Sequence, residues 1–189
     1  KILDSENTLQ TICLVMDWAK SRDGMTQQSY RTAESRSDPA TMVLHYAQET
    51  FEGLKAYRTA EGKIQLFRPE MNARRMIKSN ERLCMPGVPE EMFVEAVKAL
   101  VKAQEDWVPS EPGTSLYIRP FMFATEASLG VHMAKSYKFV IITTPVGAYY
   151  AEGINPVKIL VEDEYVVQSK VAQDLQNAAV TMQVPSQAR

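Results

Sequence analysis

Leu54-Lys-Ala-Tyr-Arg-Thr-Ala-Glu-Gly-Lys-Ile-Gln-Leu-Phe-Arg-Pro69 contains a change of period that sets the fold. Leu54 to Arg58 and Lys63 to Phe67 alternate as strands do, and Glu61-Gly62 between them supplies the turn of a hairpin. Pro69 then stands where a first-turn helix proline is tolerated, and Glu70 falls where the helix N-terminus favours negative charge. Ala73, Met76, Ile77 and Leu83 or Cys84 keep a helical stripe until Pro86-Gly87 ends it. A second helix opens at Pro89-Glu90-Glu91, gathers Phe93, Ala96, Val97, Leu100 and Val101 on one face, and stops near Trp107-Val108-Pro109. Thr114 to Thr125 and Tyr137 to Thr144, rich in Tyr, Ile, Phe and Val, read as strands, with Pro120 marking an irregular or edge section in the first.

Working outward, Leu9 to Trp18 reads as a buried strand, Ala19 to Asp38 as loop, and Thr41 to Ala47 as a strand. Val146 to Gly153 reads as a connection between domains, Val157 to Val161 as the next strand, and Val167 to Arg189 as an amphipathic helix and tail. Hairpin, two helices and then strands make an α+β domain rather than a doubly wound one. The expected division is a small domain over 1–145, a connection over 146–153 and the start of a second, larger domain over 154–189.

The bulk numbers exclude several classes. A 45% hydrophobic fraction and 23% charged residues are those of an ordinary globular chain, and a formal net charge of -2 argues against a polyanion surface and so against nucleic acid. Cys13 and Cys84 are the only cysteines and lie far apart, which indicates neither a disulfide framework nor zinc and suits a reducing compartment. No apolar run is long enough to span a membrane, and no secretory signal is readable. His45 and His132 are the only histidines, without acids at ligand spacing, so no metal site is expected. There is no G-x-G-x-x-G, P-loop or G-x-S-x-G, and Glu162-Asp163-Glu164 reads as solvated acids at a strand end.

Two runs suggest a shared pocket for a small anion: Tyr46 to Arg58, and Gly113-Thr-Ser-Leu-Tyr-Ile-Arg-Pro120. Tyr117 and Arg119 flank Ile118 and so share one strand face, where they either hold a carboxylate or form an exposed pair without function. Arg75, within Asn72-Ala-Arg-Arg-Met-Ile77, is either a phosphate clamp or the solvated side of its helix. Tyr46 and Phe51 bracket the Gln-Glu-Thr turn as pocket walls or as core aromatics.

These runs, together with Leu66-Phe-Arg-Pro69 and Asn80-Glu-Arg-Leu-Cys-Met-Pro86, resemble the branched-chain amino acid aminotransferases of pyridoxal-phosphate fold type IV, over residues 39–166 and in part over 12–18. The resemblance implies a two-layer small domain and a pyridoxal 5'-phosphate enzyme that moves an amino group between leucine, isoleucine or valine and 2-oxoglutarate or glutamate. It implies that Arg75 binds the cofactor phosphate, that Tyr46 and Phe51 wall the substrate pocket, and that Tyr117 shapes it. Arg119 would take the side-chain carboxylate of glutamate. Leu129 and Val131, in Ala127-Ser-Leu-Gly-Val131, match a loop that covers the branched side chain of the neighbouring subunit, which implies a homodimer. An intracellular, cytoplasmic location follows, with a mitochondrial one left open.

The sequence departs from the family at two places. Ala19 to Ser37 lacks the family's apolar and proline pattern. Val161-Glu-Asp-Glu-Tyr-Val166 is intact, but no glycine-rich segment follows it, and counting forward without gaps places Asn177 near the position of the lysine that bonds the cofactor. Lys170 comes too early and in the wrong context, so no catalytic lysine is identified and the isolated chain is expected to be inactive. The alternatives are a noncatalytic dimerisation or interaction remnant of the family, or another fold type IV enzyme such as a D-amino acid aminotransferase or aminodeoxychorismate lyase.

Overall fold

The computed structural model describes residues 12–20, 24–31, 36–147, 156 and 158, with 12 and 24–31 described by backbone alone. Strands β1 (Ile12–Ala19) and β2 (Gly24–Arg31) come first. They are followed by a single helical turn α1 (Met42–Tyr46) and strands β3 (Glu49–Phe51), β4 (Leu54–Arg58) and β5 (Ile64–Leu66). Helices α2 (Pro69–Arg82) and α3 (Glu90–Ala103), a short 3₁₀ turn at Glu105–Trp107, and the long strands β6 (Ser115–Ala124) and β7 (Ser136–Val146) complete the described chain.

The strands form one seven-stranded antiparallel sheet in the order β2-β1-β7-β6-β4-β5, with β3 also on β6. Gly62, at φ 79°, makes the β4–β5 turn, and its N–H donates to the Thr59 carbonyl at 2.9 Å. Alternation sends Leu14 and Met16 of β1, Leu54 and Ala56 of β4, Leu116, Ile118, Met122 and Ala124 of β6, and Phe139 and Ile141 of β7 into one buried layer. Both helices cover that face, α2 with Ala73 and Met76, and α3 with the five residues that its periodicity indicated. Phe93 and Phe139, both fully buried, meet at 6.0 Å between ring centroids, and each such side chain contributes about 1.5–3 kcal/mol through burial. Two polar pairs sit in this layer: Thr143 with Gln104, and Thr50 with Asn80, whose Nδ2 also donates to the Pro86 carbonyl at 2.9 Å. The fold is therefore α+β in two layers, as the order of elements implied.

Three local assignments are corrected. Thr41 to Ala47 is no strand: the Asp38 carboxylate accepts from Ala40 N–H at 2.7 Å and its carbonyl from Thr41 N–H at 2.9 Å, so the chain turns into α1. Ala47 at φ 50° ends that turn, donating to the Val43 carbonyl at 3.0 Å. Apolar composition alone does not separate one helical turn from a short strand. Gln48-Glu-Thr is not a turn, because Glu49–Phe51 is β3, paired with β6. Gly24–Arg31, expected as loop, is β2, since a polar segment without apolar period still satisfies its backbone against β1.

Pro120 lies in the middle of the sheet rather than at its edge. β3 and β4 continue one register along β6, from Phe51 opposite Phe121 to Leu54 opposite Ile118, and the break between them falls at Glu52-Gly53. Glu52 N–H donates to the Pro120 carbonyl at 2.7 Å. The N–H that proline lacks points to the same side as that carbonyl, so the gap in the ladder coincides with the change of strand. The irregular section expected at Pro120 is this break. The segments expected over 146–153, 157–161 and 167–189 lie outside the described residues, apart from Val146, Gly147 and Lys158. No helix among the described residues is long and apolar enough to cross a membrane.

Candidate functional site

The face of the sheet opposite the helices carries Phe51 of β3 and Tyr117, Arg119, Phe121 and Phe123 of β6, all half-buried. The Arg119 guanidinium lies 4.4 Å from the centroid of the Phe51 ring and 5.3 Å from that of Tyr117. Its Nη2 and Nε donate to the Tyr117 hydroxyl at 2.7 and 3.1 Å. Extended along β3 and β4, the register places Gly53 opposite Arg119, and an ideal Cβ on Gly53 would stand 2.6 Å from the Tyr117 oxygen. Glycine thus leaves free the space beside the neighbouring strand that the Tyr117 hydroxyl occupies where it accepts from Arg119. Glu49, two residues before Phe51 on the same face, has its carboxyl pushed up by burial, an effect that the Arg119 charge partly offsets. The arrangement is a fixed cation over an aromatic ring, suited to holding a carboxylate.

Arg75 belongs to a second cluster, reached from the helix-covered side. Its Nε and Nη2 fork onto the Glu52 carboxylate at 2.7 and 2.6 Å, and the Glu52 side chain is completely buried. Asn72, one helical turn before Arg75, donates to the same carboxylate at 2.8 Å and to the Gly53 carbonyl at 3.2 Å. Hydrogen bonding to Glu52 raises the Arg75 pKa above its ordinary value. The Arg75 side chain remains 42% exposed, so it is not merely the solvated side of α2 and not consumed by its ion pair. Arg74, its neighbour, is held in an exposed fork with Glu90 at 2.8 and 3.0 Å.

The third group joins Tyr46 and the loop after β6. The Tyr46 hydroxyl donates to the Leu129 carbonyl, and the bridge Thr41–Ala127 with the Met42 N–H to Glu126 carbonyl bond at 2.9 Å seats α1 against that loop. Glu126 closes the loop by accepting from Lys135 N–H at 2.6 Å and facing His132 Nε2 at 3.3 Å. These contacts hold the Glu126 carboxyl below the usual carboxylate range, led by the Lys135 backbone bond. Leu129 and Val131 point outward, 66% and 87% exposed. The described hydrogen bonds of Tyr46 join it to Leu129 and not to Arg119 or Arg75. Of the residues singled out in the sequence, then, Phe51, Tyr117 and Arg119 come together, Arg75 is tied to them through Glu52-Gly53, and Tyr46, Leu129 and Val131 form a separate outward group.

Sequence reasoning missed Glu52, Gly53, Asn72 and Glu49 as members of the site. Glu52 and Gly53 stood within the quoted run Tyr46 to Arg58, and the signal available was a glutamate and a glycine between two alternating segments. Asn72 sits three residues before Arg75, a spacing that places both on one helix face. Among the described residues no group of His, Cys, Asp or Glu could hold a metal ion.

Comparison with known proteins follows the same lines. No protein-family model matches the chain. Over 130 residues it is 55% identical to branched-chain-amino-acid transaminase 1 of Bacillus subtilis, covering 68% of this chain and 36% of that protein. Over 152 residues it is 50% identical to branched-chain-amino-acid aminotransferase 2 of the same organism, covering 80% of this chain and 42% of that protein. Among solved structures, the branched-chain aminotransferase of Thermoproteus uzoniensis with norvaline shares the fold at a TM-score of 0.57 and 21% identity, over 72% of this chain and 42% of the other. The branched-chain amino acid aminotransferase of Thermobaculum terrenum in its PLP form matches at a TM-score of 0.52 and 20% identity, over 75% and 41%.

The fold is that of fold type IV proteins, with a two-layer domain bearing a carboxylate-suited arginine on its open sheet face. The chain belongs to the branched-chain aminotransferase family, and it spans 36% and 42% of the length of the two Bacillus relatives.

Proposed function

We propose that the chain carries the substrate-recognition part of a pyridoxal 5'-phosphate-dependent branched-chain aminotransferase acting on leucine, isoleucine or valine with 2-oxoglutarate. The observation that carries this is Arg119, clamped between the Phe51 ring and the Tyr117 hydroxyl on the open sheet face. Such a site must accept an apolar branched side chain in one half-reaction and an anionic one in the other. Phe51 and the neighbouring aromatics suit the first, and the oriented guanidinium suits the second. When bound, the cofactor supplies the electron sink for amino transfer. Arg75 would hold its phosphate, and the fit rests on a guanidinium fixed by Glu52 on one edge and open to solvent on the other.

Tyr46, Leu129 and Val131 complete the pocket of a second copy of the chain. The outward exposure of Leu129 and Val131 on a loop braced by Glu126, with the Tyr46 hydroxyl bonded to that loop, supports that role, and the resulting assembly is a homodimer. On this reading residues 1–145 are the small domain, 146–153 the connection and 154–189 the opening of the larger domain. The free cysteines Cys13 and Cys84 suit an intracellular, cytoplasmic location. Because Asn177 stands near the expected lysine position, the 189-residue chain mixed with pyridoxal phosphate should form no borohydride-reducible lysine adduct at a defined site. A defined adduct would reverse that assignment.

Recognition is tested by Arg119→Ala, with the binding of two 2-oxo acids measured by calorimetry. Affinity for 2-oxoglutarate should fall by about tenfold or more, the loss of a charge-assisted contact, while 4-methyl-2-oxopentanoate, which lacks the second carboxylate, stays within about twofold. Equal losses for both acids would refute the role of Arg119.

A further inference from the structure

We infer that Glu52, with Asn72, is a positioning residue that sets the direction in which Arg75 presents its remaining donors, and thereby the strength of the phosphate grip; this rests on the proposed role of Arg75. The Glu52 carboxylate is fully buried and engages Arg75 in a fork, Nε to Oε1 at 2.7 Å and Nη2 to Oε2 at 2.6 Å. A guanidinium bound along its Nε–Nη2 side keeps the opposite end, Nη1 and the outer hydrogen of Nη2, for an anion. An unrestrained arginine samples many rotamers and must lose that freedom on binding, whereas this one is already held. Asn72 fixes the carboxylate in turn, donating to Oε2 at 2.8 Å, and its second contact, to the Gly53 carbonyl at 3.2 Å, locks the pair to the break between β3 and β4.

The Glu52 charge has two opposite effects on an incoming phosphate. It orients Arg75, and it repels the anion across the guanidinium. A substitution that removes the charge would alter both at once, so the informative change keeps the charge and moves it. Glu52→Asp shortens the side chain by one methylene. Arg75 then either follows the carboxylate inward or releases it, and both withdraw the phosphate-facing edge. Asn72→Ala is the milder counterpart, leaving the ion pair intact while removing the support that holds Oε2.

The probes are pyridoxamine 5'-phosphate and pyridoxamine, which differ only in the phosphate and, having no aldehyde, need no lysine. Their affinities for the protein are measured by fluorescence titration, alongside the melting temperature of each variant. The expected result is a preference for the phosphorylated probe that falls about tenfold in Glu52→Asp and by a smaller factor in Asn72→Ala, with pyridoxamine affinity unchanged. Variants that melt lower but keep the full preference would show a structural role only and overturn the inference. Arg75→Met separates the two layers of the argument. If it leaves the preference intact, or if the unsubstituted protein shows none, the phosphate role of Arg75 falls and the positioning role with it. If Arg75→Met abolishes the preference and Glu52→Asp does not change it, Arg75 binds phosphate and Glu52 does not position it.

Discussion

Replacing Gly53 by alanine should damage the protein through the Tyr117 hydroxyl and through nothing else. A Cβ there would lie 2.6 Å from that oxygen, 3.3 Å from Cζ and 3.4 Å from Cε2, so the hydroxyl must move while the ring needs to yield only slightly. Moving it breaks the bonds from Arg119 Nη2 and Nε at 2.7 and 3.1 Å. Hydrogen bonds to a charged group contribute about 1.5–3 kcal/mol, and half-burial of this pair places the loss at the lower end, about 1.5–2 kcal/mol. Gly53 is not among the positive-φ glycines, so alanine adopts its backbone without strain and returns about 0.4–1 kcal/mol by restricting the unfolded chain. The expected net cost is about 1 kcal/mol.

Tyr117→Phe removes the same bonds and also the atom that the new Cβ would strike. The double variant should therefore be no less stable than Tyr117→Phe alone, with a coupling of about 1–2 kcal/mol between the sites. Urea denaturation of the parent, both single variants and the double variant measures this. Additivity within about 0.5 kcal/mol would refute the claim that Gly53 exists to admit the Tyr117 hydroxyl.

Two further outcomes follow from the same coordinates. Because burial raises the folded-state pKa of Glu49, its contribution to stability is present below the unfolded carboxylate value and lost as pH rises through the raised folded value, so Glu49→Gln should melt higher than the parent at neutral pH and match it in acid; a difference independent of pH would refute the assignment. Phe93→Ala should cost about 3–5 kcal/mol in urea denaturation because the ring is fully buried against Phe139, whereas exposed Met92→Ala should stay within about 0.5 kcal/mol, and similar values for the two would mean that α3 is not seated as described.

The helices were legible because each carries its own evidence. α3 shows five apolar residues at helical spacing after a proline and two acids, and all five are buried. The β4–β5 hairpin was legible from Gly62 and the alternation around it. α1 and β3 were misread because their identity depends on partners elsewhere: α1 on the Asp38 turn and the Glu126 carbonyl, β3 on the edge of β6. β2 was missed because its polar sequence has no period, and its pairing is a matter of backbone alone.

The site divides in the same way. Tyr117 and Arg119 were placed on one face by strand alternation, and the family resemblance attached roles to them and to Arg75. That Arg119 would lie over Phe51, that Glu52 would fork onto Arg75, and that Gly53 would leave room for a hydroxyl from the neighbouring strand could not be read from spacing. The sequence by itself determined the α+β class, the two helices, the buried stripe and the family, all of which follow from local periodicity and ordered motifs. Only the tertiary structure decided the sheet order, the break at Glu52-Gly53 and the direction in which each arginine points, because those depend on register between strands distant in sequence, where side chains meet through space and not along the chain.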